Sequence, residues 1–300
     1  MRLVVTGASG FVGRVLCADA EQAGHEVVRV VRRAGVEPVG AVAIGEIDGD
    51  TDWGTVLRGA DAVLHLAARV HVMRESAQDP LAAFRAVNVE GTRRVAVAAA
   101  EAGVARLVLV SSIKAAVAED PYGQSKLEAE QAVRGVGERR GLEWVVVRPP
   151  LVHGPGVGGN LRRLMGLIRR GVPLPLGGVQ NRRSLVGVEN LAGLLLLCAA
   201  APQAAGQTLL VADQPAVSTP ELIRMIATCM GRPARLWSVP TGALRILGRL
   251  AGRAEEVERL AGSLEVDDAR TRALLGWVPR WTLEAGIEAM VQAFDRERQR

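Results

Sequence analysis

The stretch that decides the fold lies near the start of the chain and reads TGASGFVG, residues 6–13. It follows an apolar run, LVV at residues 3–5, and precedes a helical pattern over residues 11–23. Glycine at residues 7, 10 and 13 permits a tight turn and a close backbone approach. The helix N-terminus then offers free N–H groups to a pyrophosphate. The pattern predicts a dinucleotide-binding loop, with an ordinary glycine-rich turn as the alternative.

Short apolar runs alternate with helical patterns through the first two-thirds of the chain. Strands are predicted over residues 3–5, 27–31, 42–47, 62–66, 107–110, 144–147, 185–188 and 208–211, and long helices over residues 80–102 and 121–140. This alternation indicates a Rossmann-like α/β fold with a doubly wound parallel sheet. The pattern changes after Pro149-Pro150. We expect a dinucleotide-binding domain over residues 1–160 with about 184–214, and a smaller, mostly helical substrate domain over about 161–183 and 215–300.

Composition excludes several classes of protein. With 49% hydrophobic and 23% charged residues over 300 positions, the chain is globular rather than disordered. Three scattered cysteines and four histidines without metal-ligand spacing favour a reducing cytoplasm and no metal site. The start shows no signal-peptide pattern, and the longest apolar run, residues 191–201, is too short to span a bilayer. Nucleic-acid binding is not favoured, because arginines are dispersed and aromatics make up only 3%.

The end of the second predicted strand bears on the cofactor. Enzymes that bind NAD place an acid there for the ribose hydroxyls. Here the strand ends in Arg32-Arg33, and Arg14 follows the last loop glycine. A 2′-phosphate suits such arginines through charge-assisted bonds, which favours NADP over NAD. Solvated surface charges are the alternative.

The chain's only tyrosine lies four residues before one of its only two lysines. Lysine and arginine total 37, yet the lysines are Lys114 and Lys126 alone. Tyr122 and Lys126 form a Y-x-x-x-K pattern that shares one helix face, after Asp120 as cap and Pro121 in the first turn. A nearby ammonium and an oxidised nicotinamide would both lower the pKa of the phenol, so that it exchanges a proton with a substrate oxygen.

Further motifs carry a family resemblance over nearly the whole chain. They are HLAA (65–68), NVEGT (88–92), SS (111–112), RPPLVHGPG (148–156), LGWVP (275–279) and LEAGI (283–287). Together with the glycine loop, Tyr122 and Lys126, they resemble the extended short-chain dehydrogenases/reductases, in the nucleotide-sugar epimerase, dehydratase and ketoreductase group. The resemblance implies a nicotinamide-dependent enzyme that acts on a nucleotide sugar.

The resemblance also implies a role for particular residues. It makes Ser112, Tyr122 and Lys126 the catalytic residues. The implied cofactor-binding residues are Gly7, Ser9, Gly10, Phe11, Val12, Gly13, Arg14, Arg32, Arg33, Glu46, Ile47, Ala67, Tyr122, Lys126, Pro149 and Val152. Asn160 and Arg183 match positions that hold the nucleotide diphosphate, although a turn residue and a surface charge are the plainer alternatives.

One subgroup shares the stretches AARVHV (67–72), SSIK (111–114) and PLPLG (173–177). It contains bacterial UDP-4-keto-6-deoxy-N-acetylglucosamine reductases, which form UDP-N-acetylquinovosamine for surface polysaccharide. This resemblance implies an NADPH-dependent 4-ketoreductase on a UDP-linked sugar. An NAD-dependent UDP-sugar 4-epimerase and a non-catalytic dinucleotide sensor are the alternatives. In the family the helices matching residues 80–102 and 121–140 often form a dimer interface, so we expect a homodimer.

One departure from the family concerns the segment between the serine and the tyrosine. The family usually has a longer segment here, whereas only nine residues, 113–121, separate Ser112 from Tyr122 in this chain. Nine residues can extend about 30 Å, so a shared site is feasible. Because the missing residues normally shape the sugar pocket, the departure bears on which sugar is bound.

Overall fold

The computed structural model describes residues 1–33, 40–70, 79–250, 252 and 254–297. His71, in the AARVHV stretch, lies outside these residues. The chain divides into two compact units. Unit 1 comprises Met1–Pro150, Leu191–Val211 and Asp268–Val278, and unit 2 comprises Leu151–Asn190, Ala212–Asp267 and Pro279–Arg300. The domain boundaries expected from the sequence stay a prediction.

Unit 1 is built on a parallel sheet. The strands of the described residues are β1 (Arg2–Thr6), β2 (Glu26–Val31), β3 (Val42–Ala43), β4 (Ala62–His65), β5 (Arg106–Val110), β6 (Glu143–Arg148), β7 (Leu151–His153), β8 (Arg183–Gly187), β9 (Gln207–Leu210) and β10 (Asp213–Val217). Seven of them form one sheet in the order β3-β2-β1-β4-β5-β6-β9, with every neighbouring pair parallel. The predicted doubly wound parallel sheet is confirmed. Its strand order reverses between β1 and β4, where such sheets bind ligands beyond the strands' carboxyl ends.

The central strands are buried on both faces. Strand β1 lies between β2 and β4, and its Leu3, Val4 and Val5 side chains, which alternate between the two faces of the sheet, are fully buried because helices cover both faces. Parallel strands covered by helices are apolar at every position for this reason. At the sheet edge, β3 is shorter than the predicted strand over residues 42–47. Gly45 has a φ of 77°, a left-handed backbone conformation that ends the pairing.

Helices flank the sheet of unit 1. The helices of the described residues are α1 (Phe11–Gln22), α2 (Pro80–Arg85), α3 (Thr92–Glu101), α4 (Pro121–Arg140), α5 (Gly159–Arg169), α6 (Val188–Ala200), α7 (Thr219–Cys229), α8 (Thr241–Leu250), α9 (Ala254–Ala261), α10 (Ala269–Leu275) and α11 (Leu283–Glu297). The single helix predicted over residues 80–102 is instead α2, a π-helical turn at Ala86–Gly91, and α3. Buried Asn88 lies in this turn, and its side chain bonds Arg69 backbone atoms and Ser125 Oγ. A π turn of this kind often marks a functional site.

Unit 2 contains a three-stranded sheet in the order β10-β8-β7. Strand β8 is parallel to β7 and antiparallel to β10. After Pro149-Pro150, where the sequence pattern changes, the chain forms strand β7 and then helix α5. Among the described residues, no helix has both the length and the hydropathy to cross a bilayer.

Candidate active site

The glycine loop after β1 is packed too closely for side chains. A Cβ atom on Gly13 would lie 2.2 Å from the Gly7 carbonyl oxygen, and one on Gly7 would lie 2.9 Å from the Ala67 nitrogen. Gly7 also has a φ of 68°, which favours glycine. Gly10 caps α1 without a side chain, and the first turn of α1 contains no acid. The first-turn N–H groups are thus free of a side-chain cap, which fits the pyrophosphate of a dinucleotide.

The remaining predicted cofactor residues of this region lie around the loop. Ser9, Phe11 and Val12 are half-buried, and the exposed Arg14 donates from its guanidinium to the Ser9 carbonyl oxygen at 2.8 Å. Half-buried Ile47 lies against Gly91, where a Cβ would be 2.8 Å from the Ile47 Cγ2 atom.

The arginines at the end of β2 lie on the surface. Arg32 and Arg33 are exposed. Arg32 Nη1 is 3.3 Å from Glu46 Oε1, and more than half of each side chain is accessible to solvent. An exposed ion pair of this kind is weak.

A neutral polar network joins the ends of β1 and β4. Thr6 Oγ1 lies 2.7 Å from His65 Nδ1 and accepts hydrogen bonds from the Leu66 and Ala67 backbone nitrogens. His65 Nε2 lies 3.0 Å from Thr92 Oγ1. Burial, together with the charge of Lys126, lowers the pKa of His65 to about 3, so the ring is neutral. The network fixes the backbone of Ala67 beside Gly7. The sequence showed His65 only as part of the HLAA motif.

The structure brings together the three predicted catalytic residues. Ser112 follows β5, and its Oγ accepts a hydrogen bond from the Lys114 nitrogen, which starts a 3₁₀ turn at Ile113–Ala116. Tyr122 lies in the first turn of α4, and its hydroxyl and that of Ser112 hydrogen-bond to each other. The nine-residue connection is therefore long enough to pair these two hydroxyls.

Lys126 lies one turn of α4 beyond Tyr122, as the spacing predicted. Its Nζ donates to the Val110 carbonyl oxygen at 2.7 Å, and only 3% of the residue is exposed. Burial lowers the pKa of Lys126 to about 8, while the charge of Glu130 raises it. The lysine is thus tied to the end of β5, in the part of the site that carries Ser112.

The environment of Tyr122 differs from the expectation. Burial raises the pKa of Tyr122 to about 12; the Ser112 hydrogen bond lowers it, and the Asp120 carboxylate raises it. The phenol thus holds its proton more firmly than a free tyrosine, whose pKa is near 10. The expected lowering fails for the protein groups alone because burial and the Asp120 charge outweigh the Ser112 hydrogen bond. A bound positive group would act in the opposite direction.

An ionic network lies behind the catalytic residues, and the sequence reasoning missed it. Glu130 is fully buried. It accepts from Ser111 Oγ at 2.5 Å and from Arg148 Nε and Nη2 at 2.9 and 2.7 Å. Arg148 precedes Pro149, whose carbonyl oxygen accepts from the Ile113 nitrogen at 3.0 Å. The network and this bond fix the ends of β5 and β6 against α4. The i, i+4 spacing of Glu130 from Lys126 was its only sequence signal.

Three predicted site residues belong to unit 2. Val152 is half-buried in β7, and Asn160 is exposed in the first turn of α5. Arg183 begins β8, and burial lowers the pKa of its guanidinium. Their binding roles stay predictions.

Comparison with known proteins decides the family. The family described as NAD dependent epimerase/dehydratase matches residues 3–212. The chain belongs to this family. A UDP-glucose 4-epimerase of Vibrio cholerae is 37% identical over 311 residues, spanning 97% of this family member and 95% of the relative.

Solved structures share the fold of this epimerase/dehydratase family member. MoeE5 in complex with UDP-glucuronic acid and NAD is 25% identical with a TM-score of 0.78, covering 99% of this chain and 100% of that one. A UDP-glucuronic acid 4-epimerase from Bacillus cereus in complex with NAD is 18% identical with a TM-score of 0.79, covering 99% of both chains. The chain is an NAD(P)-dependent oxidoreductase or epimerase of this family.

Proposed function

We propose that this protein is a nicotinamide-dependent UDP-sugar 4-epimerase. The hydrogen-bonded Ser112–Tyr122 hydroxyl pair, with Lys126 one helical turn away, carries the proposal. It lies in the unit that contains the glycine loop, within a chain 37% identical to a UDP-glucose 4-epimerase. This arrangement supports proton exchange at a carbinol or carbonyl oxygen, which epimerisation at C4 of a sugar requires in both directions.

Each catalytic residue has a distinct role in this proposal. Tyr122 exchanges a proton with the C4 oxygen of the sugar, taking it from the hydroxyl and returning it to the ketone. The Ser112 hydroxyl orients that oxygen and stabilises its developing charge. Lys126, held by the Val110 carbonyl, favours the ionised phenol through its ammonium.

The dinucleotide would be held in unit 1 by the glycine loop and its neighbours. When bound, the nicotinamide supplies the hydride acceptor and donor. The proposed contacts are Gly7, Ser9, Gly10, Phe11, Val12, Gly13, Arg14, Arg32, Arg33, Glu46, Ile47, Ala67, Tyr122, Lys126 and Pro149. Uncapped N–H groups at the start of α1 support binding of the pyrophosphate.

A second candidate is an NADPH-dependent 4-ketoreductase of a UDP-linked 4-keto-6-deoxy sugar, such as UDP-4-keto-6-deoxy-N-acetylglucosamine. It is favoured by exposed Arg32 and Arg33 at the end of β2, where neither residue is an acid. Two guanidinium groups suit the 2′-phosphate of NADP. The same residues, Ser112, Tyr122 and Lys126, would serve a single reduction at C4.

Cofactor balance separates the two candidates. Purified protein is denatured and any released dinucleotide identified, and emptied protein is titrated with NADH and NADPH. Loaded protein is then incubated with UDP-glucose, UDP-N-acetylglucosamine and a UDP-4-keto-6-deoxy sugar. We expect a C4 epimer without net change in nicotinamide absorbance. Net NADPH oxidation with the keto sugar would instead establish the reductase. A protein that binds dinucleotide but converts no sugar would be the sensor.

The nucleotide diphosphate site is a separate proposal that concerns unit 2. We assign Arg183 to it, with Asn160 as a second contact and Val152 near the nicotinamide. Arg183→Met should raise the KM for the UDP-sugar by about tenfold or more with little change in kcat. Its neighbour Arg182 is exposed and lies 3.9 Å from the Glu221 carboxylate, so Arg182→Met is the matched control. Equal kinetics in both variants would contradict the assignment.

The proposed homodimer would pair α3 and α4 with those of a second copy. The chain has a mass of 31.7 kDa, so light scattering at micromolar concentration should give about twice that value. A monomeric mass would contradict the dimer.

A further inference from the structure

The second of the two lysines lies beside the catalytic tyrosine. Lys114 Nζ forms a hydrogen bond and ion pair with Asp120 Oδ2, and both side chains are about one-third exposed. The same Nζ atom is 6.0 Å from the centroid of the Tyr122 ring. The role proposed above for Lys126 does not account for this ammonium. Apart from Lys126, the other lysine or arginine positions are all arginine, so a compact ammonium here is unusual for the chain.

Lys114 and Asp120 also join the 3₁₀ turn after Ser112 to the start of α4. Asp120 Oδ1 caps α4 by accepting from the Gly123 nitrogen at 2.7 Å, while its Oδ2 binds Lys114. The Lys114 carbonyl oxygen accepts from the Ala118 nitrogen at 2.9 Å. A Cβ atom on Gly123 would be 2.7 Å from that oxygen. The short connection is thus closed by one ion pair and by backbone packing.

The charge on Asp120 has a consequence for Tyr122. The carboxylate that caps α4 opposes ionisation of the neighbouring phenol and raises its pKa. An ammonium bound to that carboxylate offsets its electrostatic field. The Lys114 ammonium is paired with Asp120 and therefore reduces the field at the Tyr122 phenol.

The other groups that face Tyr122 come from three elements. The Ser112 hydroxyl bonds the phenol. From α2, the Phe84 ring meets the Tyr122 ring edge-on at 5.8 Å, with the Arg69 guanidinium 5.6 Å from the Phe84 centroid. Lys126 lies one turn along α4. Among the residues that the structure describes, Asp120 is the carboxylate that acts on Tyr122, and Lys114 is paired with it.

We propose that Lys114 is a positioning residue of the catalytic site: paired with Asp120, it holds the first turn of α4 against the Ser112 segment and screens Tyr122 from the Asp120 carboxylate. The inference rests on the proposed role of Tyr122 as the proton-exchanging group. It extends that proposal by giving the second lysine a function that an arginine fork would not reproduce in the same geometry.

The experiment uses the fact that Tyr122 is the chain's only tyrosine. Phenolate absorbance in the near ultraviolet therefore reports this residue alone, and it is recorded without substrate on the chain loaded with NAD⁺, because a bound positive ring would lower the pKa of the phenol into the range in which the Lys114 ammonium is still protonated. Stopped-flow pH jumps record it within milliseconds, before slower alkaline unfolding. The full chain is compared as wild type, Lys114→Met, Asp120→Asn and the double variant. Asparagine keeps the helix cap but removes the charge.

If Lys114 screens Tyr122 from the Asp120 carboxylate, the midpoint pH of the Tyr122 phenolate titration should differ among the four proteins in a defined order. Lys114→Met should move the midpoint of Tyr122 upward by about 0.5–1 pH unit, because the Asp120 charge is no longer offset. Asp120→Asn should move it downward, and the double variant should return to within about 0.3 pH unit of wild type. Midpoints that do not respond to either substitution would overturn the proposal.

A matched control and an activity readout complete the test. Arg140→Met removes one positive charge and an exposed ion pair with Glu101 at the far end of α4, about 27 Å along the helix from Tyr122. It should shift no midpoint. In turnover assays, Lys114→Met should move the alkaline limb of the kcat profile as it moves the phenolate, and Lys114→Arg should only partly restore it. If the absorbance midpoints shift but no sugar is converted, the proposed function fails and the screening role stands.

Discussion

Two buried polar networks lie at the carboxyl ends of the strands of unit 1, and they differ in charge. At β1 and β4, Thr6, His65 and Thr92 form a neutral chain around an imidazole whose pKa is lowered to about 3. At β5 and β6, Glu130 and Arg148 form a buried ion pair behind Lys126. Both networks hold loops at the same edge of one sheet.

The difference between the two networks follows the role proposed for the residues that each one supports. The glycine loop binds through backbone N–H groups, so its support needs only to fix the backbone, and neutral hydrogen bonds are enough. The tyrosine has to exchange a proton, so its support has to influence charge. Buried charges cost desolvation and persist only when paired, which explains why the buried Glu130 is paired with Arg148.

The largest effect is expected from breaking the ionic network. Glu130→Leu leaves the Arg148 guanidinium without its carboxylate and should lower the free energy of unfolding by about 3–5 kcal/mol. Adding Arg148→Met should restore part of that loss, because the guanidinium that was left without its carboxylate is removed. Urea denaturation of both variants checks this. A double variant less stable than Glu130→Leu would contradict the account.

The next largest effect is expected for Lys126, whose contribution to the free energy of unfolding depends on pH. The pKa of Lys126 is lowered to about 8 in the folded chain from an ordinary 10.5. The unfolded chain therefore binds more protons between these values, and wild-type stability rises with pH across this window. Relative to Lys126→Met, it should rise by on the order of 3 kcal/mol from pH 8 to 10.5. A stability difference independent of pH would mean that folding does not shift the lysine's pKa.

The smallest effect is expected in the neutral network. Thr92→Val removes the hydroxyl beside His65 Nε2 and should lower the free energy of unfolding by about 1–2 kcal/mol. Thr228→Val, at an exposed position of α7, is the matched control and should change stability by less than about 0.5 kcal/mol. A loss as large as that of Glu130→Leu would remove the distinction between the two networks.

The sequence predicted the glycine loop and the pair of Tyr122 and Lys126, but it did not predict the ionic network behind that pair, for a physical reason. The residues of the glycine loop are consecutive in the sequence, and glycine marks positions where the backbone turns tightly or is closely approached. Tyr122 and Lys126 were equally readable, because i and i+4 share a helix face. Glu130, by contrast, meets Arg148 only through strand register and helix packing. Local spacing therefore gave no sign of that pair.

Burial and contacts between residues distant in the chain account for the remaining differences. The sequence suggested that a nearby ammonium lowers the pKa of Tyr122, whereas burial raises it to about 12. The π-helical turn at Ala86–Gly91 depends on bonds between Asn88 and residues distant in the chain. The pairing of Arg32 with Glu46 likewise spans 14 positions.

The most direct test of the account is the comparison of Tyr122→Phe with the wild-type protein in turnover and in dinucleotide binding. The account predicts that kcat falls by about 10²–10⁴-fold, because the proton-exchanging hydroxyl is lost. The dissociation constant for the dinucleotide should rise by less than about tenfold, because Tyr122 is one of many proposed contacts and the glycine loop is unchanged. A variant that keeps the wild-type kcat would contradict the role of Tyr122 on which the proposed function stands.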